Sequence, residues 1–196
     1  MRPTLLLASN SPRRRELLLE AGFDFEIWPP SIAEKLNVDL TLRELTALNA
    51  TRKAMAAARA HSKKVVLAAD TLVTIDDHIL GKPNDLGEAV AMLERLSGRA
   101  HEVCTSVFVC HLVRGRSTSF SEISWVRFRR LTRNEIDRYL ERVNPLDKAG
   151  AYAAQGFGGD IIEKVDGSFT NVVGLPMEKT VPALAAFEVK PIRQPG

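Results

Sequence analysis

Leu5-Leu6-Leu7-Ala8-Ser9-Asn10-Ser11-Pro12-Arg13-Arg14-Arg15-Glu16-Leu17-Leu18 decides the fold of this chain. The four apolar residues 5–8 suit a short strand covered on both faces. Ser11 is a good N-cap, and Pro12 then falls at the first helical position, where a missing N–H costs nothing. Leu17, Leu18 and Ala21 share one helical face, and Gly22 is a plausible stop. The stretch therefore predicts strand, polar turn and helix. Its anomaly is Arg13-Arg14-Arg15 in the first turn, where the positive end of the helix favours Asp or Glu. An anion bound there would resolve the conflict, taking free N–H groups, serine hydroxyls and guanidinium donors together. Three solvated arginines at a surface helix end are the plainer alternative, since the opposing dipole costs only about 0.3–1 kcal/mol per charge.

Working outward, residues 23–28 alternate apolar and polar as a half-buried strand does, and Pro29-Pro30 ends it. Residues 31–39 read as an irregular loop containing Glu34. Thr41-Leu42-Arg43-Glu44 is a capping box that starts a helix running to about Ala60. Residues 65–69 form a buried strand with Asp70 directly after it; residues 72–75 continue as strand, and Asp76-Asp77-His78 turns the chain. Asn84 or Asp85 caps a helix with Ala89, Met92, Leu93 and Leu96 on one face, ended by Gly98. Two strands follow, over 103–113 and 120–128. Thr132-Arg133-Asn134-Glu135 is a second capping box, and Ile136, Tyr139, Leu140 and Val143 form that helix's apolar stripe. The small-residue segment 144–156 fits a tight loop with a short helix. Strands at 161–165 and 172–173 and a last helix over 177–187 complete the chain. Early alternation of strand and helix, with a hairpin in the middle, predicts an α/β protein with a mixed sheet.

The bulk properties bound the function. A length of 196 residues suits one domain, or one domain with two lobes, and 45% hydrophobic with 26% charged residues is globular rather than disordered. The net charge of +3 permits a small polyanionic ligand without requiring nucleic acid. No signal-peptide pattern precedes the first strand and no run of about 18 apolar residues occurs, so the expectation is a cytoplasmic protein without membrane partners. Cys104 and Cys110 lie six apart in one predicted strand, pointing the same way and too distant to bond, which predicts buried free thiols.

Asp70 is the sharpest chemical signal. A carboxylate after five apolar residues is costly unless paired, hydrogen-bonded or metal-bound. Open α/β sheets place ligands beyond the carboxyl ends of strands, where Asp70 is expected; a structural carboxylate is the alternative. Glu34 near it would make an oxygen-rich site suited to Mg²⁺. Lys53 shares a helix face with Asn49, Ala56 and Ala57, a place where most lysines are merely solvated. Lys82, between Gly81 and Pro83, sits in a turn that fixes where its ammonium points. Lys148 and Gln155 either face a cleft or, for Lys148, pair with Asp147. There is no P-loop, no G-x-G-x-x-G, no zinc spacing and no nucleophile elbow. Asp70-Thr71-Leu72 echoes an aspartyl-phosphate phosphatase loop but lacks the second acidic residue two positions on.

Six segments in order give a resemblance from end to end: Leu7-Ala8-Ser9-Asn10-Ser11-Pro12-Arg13-Arg14, Ala69-Asp70-Thr71-Leu72-Val73, Gly81-Lys82-Pro83, Leu96-Ser97-Gly98-Arg99-Ala100-His101, Asp147-Lys148-Ala149-Gly150-Ala151-Tyr152 and Asn171-Val172-Val173-Gly174-Leu175-Pro176. The chain resembles the Maf family of nucleoside triphosphate pyrophosphatases. That resemblance implies a single domain over residues 1–196 with a Maf/ITPase-like α/β fold: a central mixed twisted sheet flanked by helices, with two lobes around a cleft. It implies cleavage of a nucleoside triphosphate between the α and β phosphates, with a divalent cation (Mg²⁺ or Mn²⁺). Arg13, Thr71 and Gln155-Gly156 match the dTTP/UTP group of the family, whereas the 7-methyl-GTP group has tyrosine at the Arg13 position. Ala153-Ala154 departs from the Gly-Ile often found before Gln155, which bears on cleft shape.

Carried onto these positions, the resemblance makes Asp70 the general base or a metal holder, and Glu34 a second metal ligand. Arg13, Arg14, Lys53, Lys82 and Lys148 would gather around the triphosphate, with Lys53 and Lys82 taking part in catalysis. Ser9, Ser11 and Thr71 would bind substrate, and the Gln155 amide would both donate to and accept from a pyrimidine edge. Family members are often homodimers. The family is also associated with inhibition of septum formation, which makes a regulatory binding protein of cell division the second reading.

Overall fold

The computed structural model describes residues 4–35 and 39–192; the middle of the 31–39 loop, residues 36–38, lies outside them. Strand β1 (Leu5–Leu7) is wholly buried and leads through Ser9-Asn10 into helix α1 (Pro12–Glu20). Ser11 caps α1, its Oγ accepting from the Arg14 N–H, and Pro12 stands at the first helical position. Strand β2 is shorter than its alternation suggests, Phe25–Ile27, and as an edge strand leaves Ile27 exposed. Helix α2 (Leu42–Ala60) opens with the Thr41–Glu44 capping box in full.

Strand β3 (Val65–Ile75) runs unbroken through Asp70, so Asp70 is a mid-strand residue and not one beyond a strand's end. The hairpin to β4 (His78–Leu80) turns on Asp76 and Asp77, both at positive φ (50° and 60°), as a two-residue hairpin that matches strand twist requires. Asp85 caps α3 (Leu86–Leu96). Strands β5 (Ala100–His111) and β6 (Arg116–Phe128) form a longer hairpin than the apolar runs mark, because pairing extends to the polar residues Arg116–Ser119. Helix α4 (Arg133–Arg142) carries the second capping box. Single 3₁₀ turns occupy Ala149–Ala151 and Gly156–Asp160 before β7 (Ile162–Asp166).

Residues 172–173 are not a strand. They end helix α5 (Phe169–Val173), because Ser168 caps it by accepting from the Asn171 N–H and Gly174 closes it at φ +124°; the caps override the β preference of paired valines. Helix α6 (Met177–Ala186) is the last element.

The sheet order is β2-β1-β3-β5-β6-β7, with β4 also on β3. β1 pairs in parallel with β2 and β3; all other pairings are antiparallel. The expected mixed sheet is present. Its decisive feature is an interrupted edge. On one side of β3, β1 pairs only as far as Leu67 and β4 begins only at Val73. Residues 68–72 thus border a notch rather than a strand.

Two apolar cores share one face of the sheet. One gathers Leu17, Leu18, Leu184 and Phe187 onto Leu5, Leu7, Val65 and Leu67; the other gathers Leu93, Leu96, Ile136 and Tyr139 onto Val73, Ile75, Val103 and Phe128. These are the two lobes, and the notch lies between them. The opposite face is covered by α2, whose Ala54, Ala57 and Ala58 pack on Leu6, Val66 and Ala68. Small side chains let α2 sit close to the sheet, which brings its polar residues within reach of Asp70. Cys104 and Cys110 are buried free thiols, as expected. Among the described residues no helix is long and apolar enough to cross a membrane.

Candidate active site

A cavity of about 330 Å³ opens at the notch. Its floor is the β1–α1 turn and mid-β3; α2, the Glu34 loop, the Lys82 turn, the 147–154 segment and the end of α5 form its walls. Five cationic side chains line it, Arg13, Arg14, Lys53, Lys82 and Lys148, against three carboxylates, Glu34, Asp70 and Asp147. Basic residues scattered from position 13 to position 148 converge because the lobes close on one edge of β3.

Asp70 is 2% exposed and directed toward α2. The Lys53 ammonium donates to Asp70 Oδ1 at 2.6 Å and to Glu34 Oε1 at 2.6 Å, bridging the two carboxylates. Lys82 Nζ reaches the same Glu34 oxygen at 3.5 Å. The two carboxyl groups respond in opposite directions. Burial pushes Asp70 above its ordinary value, and the Lys53 charge does not make up the loss. Burial also pushes Glu34 up, but Lys53 and then Lys82 outweigh it and bring Glu34 below its ordinary value. Depth explains the difference: the Asp70 side chain is 3% exposed and that of Glu34 27%. One carboxyl is thus tuned toward holding a proton and its neighbour toward holding charge.

The arginine triplet divides three ways. Arg15 is exposed and solvated, as the plainer reading of the triplet holds. Arg13 crosses the cavity mouth to Asp147 Oδ2 at 3.2 Å. Arg14 is buried, and each of its guanidinium nitrogens donates to a protein oxygen: Nε to Gly174 O (2.8 Å), Nη1 to Ser9 Oγ (3.2 Å) and Nη2 to Thr71 Oγ1 (3.0 Å). Burial lowers the Arg14 pKa, yet a guanidinium starts high enough to remain charged. Arg14 therefore organises the turn that holds Ser9 and Thr71 and adds fixed positive charge behind it. A Cβ on Gly174 would stand 3.5 Å from Thr71 Oγ1 and 3.6 Å from Arg14 Nε, at a φ that L-residues rarely adopt.

Lys148 pairs with Asp147 Oδ1 at 2.5 Å, the alternative left open for it, and still lines the cavity. The 147–152 segment is pinned from behind. The Gly150 N–H donates to Gly81 O (3.0 Å), and Tyr152 Oη lies 2.8 Å from His101 Nε2. Ser9, Ser11, Arg13, Arg14, Glu34, Lys53, Asp70, Thr71, Lys82 and Lys148 all line one cavity. Gln155 does not: the lining stops at Ala154, and Gln155 stands half-buried just past it, where it starts a 3₁₀ turn without capping it.

Sequence reasoning gave no role to Asn49, which is 1% exposed and donates to Asp70 Oδ2 at 3.1 Å. Its spacing of four from Lys53 was the available signal. Thr105 and His101 were also passed over; Thr105 Oγ1 meets Thr71 Oγ1 at 2.9 Å.

Among the described residues no group of three or more His, Cys, Asp or Glu side chains forms a metal cage. Asp70 and Glu34 nevertheless suit a Mg²⁺-type ion, which commonly takes one or two carboxylates and completes its shell with water and substrate phosphates. That a cation already bridges these carboxylates, the Lys53 ammonium, is the structural sign that the pair accepts positive charge between them.

The family model described as Maf-like protein matches residues 4–187. A dTTP/UTP pyrophosphatase of Bacillus pumilus is 46% identical over 187 residues, spanning 95% of this chain and 98% of that protein. One from Bdellovibrio bacteriovorus is 43% identical, spanning 95% of this chain and all of its own length. A structure of a HAM1 protein from Coxiella burnetii aligns with a TM-score of 0.46 and 16% identity over 66% of this chain and 74% of its own. A family match over nearly the whole chain, and relatives above 40% identity along their full length, agree with the six motifs, five of which contribute residues to the cavity: the chain belongs to the Maf family.

Proposed function

We propose that this protein hydrolyses dTTP and UTP to the nucleoside monophosphate and pyrophosphate, removing these nucleotides from the pool. The observation that carries the reading is a buried carboxylate, Asp70, in the same cavity as a helix N-terminus and five cationic side chains. A triphosphate carries about four negative charges, and a site for it needs donors from several elements. The open start of α1, with Asn10 and Ser11 at the wall, suits phosphate oxygens, while Lys82, Lys148 and Arg13 supply charge from the other walls. The names of the relatives fit this chemistry.

In the reaction, a water oxygen bonds to the α phosphorus and the bond from that phosphorus to the α–β bridging oxygen breaks. Pyrophosphate leaves with the electron pair of that bond. Asp70 takes the proton of the attacking water, a role suited to a carboxyl that burial has made more basic than usual. Lys53 moves from its carboxylate bridge toward the phosphate oxygens as charge builds there. A divalent cation on Asp70 and Glu34 would supply Lewis-acid stabilisation of the phosphate oxygens and lower the pKa of water. Gln155, one position beyond the lining, is assigned the pyrimidine edge, because its amide offers both a donor and an acceptor.

The test is incubation of the purified protein with dTTP and UTP and Mg²⁺ or Mn²⁺. Equal amounts of monophosphate and pyrophosphate are expected, with no turnover in EDTA. Orthophosphate as the main product would replace this reading with a phosphatase. No observation favours the regulatory reading over the enzymatic one.

A further inference from the structure

Helix α2 reaches this carboxylate pair through two side chains, and only one of them is charged. Lys53 bridges Asp70 and Glu34 through its ammonium. One turn earlier, Asn49 bridges the same two chain segments through its amide. Asn49 Oδ1 accepts from the Lys35 N–H at 2.9 Å, and Nδ2 donates to Lys35 O at 2.9 Å and to Asp70 Oδ2 at 3.1 Å. The Lys35 N–H can only donate, so Oδ1 must face it and Nδ2 must face Asp70. Both amide hydrogens are then used, in a site 1% exposed. Paired with the backbone of Lys35 on both its N–H and C=O, the amide holds this loop as a neighbouring strand would. Glu34 is the adjacent residue.

We infer that Asn49 is a positioning residue for the hydrolysis: it fixes the Asp70 carboxylate and the backbone beside Glu34 to one rigid helix, and so sets the spacing of the two carboxylates. The two bridges differ in what substrate does to them. Lys53 is a flexible point charge and is drawn toward an arriving triphosphate. Asn49 is uncharged, short and enclosed, so its three bonds persist when the ammonium shifts. Without it, Asp70 and Glu34 would lose their common reference at the moment when alignment matters. This inference rests on the proposed reaction, but its contacts do not.

The test uses Asn49→Leu, which keeps the γ-branched shape and removes all three bonds, and Asn49→Ala, which leaves room for water should the bulkier leucine variant not fold. The wild-type protein is first assayed with dTTP. In the variants kcat should fall roughly ten- to a hundredfold, the usual cost of a small misplacement of reacting groups. KM for dTTP should change less than about threefold, because the phosphate-facing cations on α1, Lys82 and Lys148 are untouched. The Mn²⁺ concentration for half-maximal rate should rise, Mn²⁺ binding measured by EPR without nucleotide should weaken, and the Lys35 amide should exchange faster with solvent. A folded variant with kcat within twofold of wild type and unchanged Mn²⁺ dependence would overturn the inference. So would a rise in KM at constant kcat, which would make Asn49 part of the binding wall. If the wild-type protein hydrolyses no nucleotide, the proposed function fails on its own. The EPR titration then decides: unchanged Mn²⁺ affinity in Asn49→Leu rejects the positioning role, and weakened affinity supports it.

Discussion

His101 offers a measurable link between pH, stability and the cavity wall. It is 1% exposed on β5, edge-on to Phe128 and Tyr152, with Nε2 at Tyr152 Oη and Nδ1 buried without a partner among the described residues. A doubly protonated ring would bury both its charge and an N–H with no acceptor, and burial pushes its pKa down to about 4 from an ordinary 6.5. A lowered histidine pKa means that between these values the unfolded chain binds a proton that the native protein does not. Stability therefore rises with pH across this window and is lost as pH falls from about 6.5 toward 4. At about 1.4 kcal/mol per pKa unit, the drop from pH 7.5 to 4.5 is about 2.5 kcal/mol, or roughly 5–10 °C in Tm for a chain of this size.

The perturbation is His101→Gln, which removes the titration and keeps an amide near Tyr152. Urea unfolding of both proteins at half-unit steps from pH 7.5 to 4.5 isolates the term. The variant starts less stable, because ring packing is lost, but the two curves should converge by about 2.5 kcal/mol at the acid end. Parallel curves would show that His101 does not stay neutral in the fold. Tyr152 lines the cavity and closes the segment that carries Lys148, so the same proton should loosen the wall before the protein unfolds.

Asp70→Asn should reduce kcat for dTTP by roughly a hundredfold or more. Burial raises the Asp70 pKa, so its ionised form costs stability at neutral pH; thermal melts of Asp70→Asn should hold or rise, and normal turnover would make the carboxylate structural. Lys53→Met leaves Asp70 and Glu34 without their shared cation and should destabilise by about 3–5 kcal/mol in urea, partly restored by Mn²⁺; no loss would mean that the bridge is energetically idle. Lys82→Ala should lower kcat/KM for dTTP, UTP, CTP and GTP by a similar factor, because phosphate is common to all. Gln155→Ala should lower dTTP and UTP about five- to a hundredfold and spare GTP, and an equal loss on every nucleotide would remove Gln155 from base reading.

Local signals in the sequence determined most of the elements. Ser11-Pro12, the Thr41–Glu44 and Thr132–Glu135 capping boxes and the turn at Asp76-Asp77 each act within a few residues, and the structure repeats them. The same local logic misjudged residues 172–173, where a serine cap and a glycine outweighed two valines. It also put Asp70 past a strand's end, because the β5 ladder that carries β3 unbroken through Asp70 is a pairing with residues far away in sequence and is not written in β3 itself. The family resemblance named ten residues that gather at the cavity, and Gln155, which does not, but not how their work is divided. Only the tertiary structure turned Arg14 inward while Arg13 faced the mouth, gave Lys53 two carboxylates, and made Asn49 a tie between α2 and the loop beside Glu34. These outcomes depend on groups far apart in sequence meeting in a water-poor notch. There a charge or an amide takes its role from its partners and its depth, and neither is a property of the residue alone.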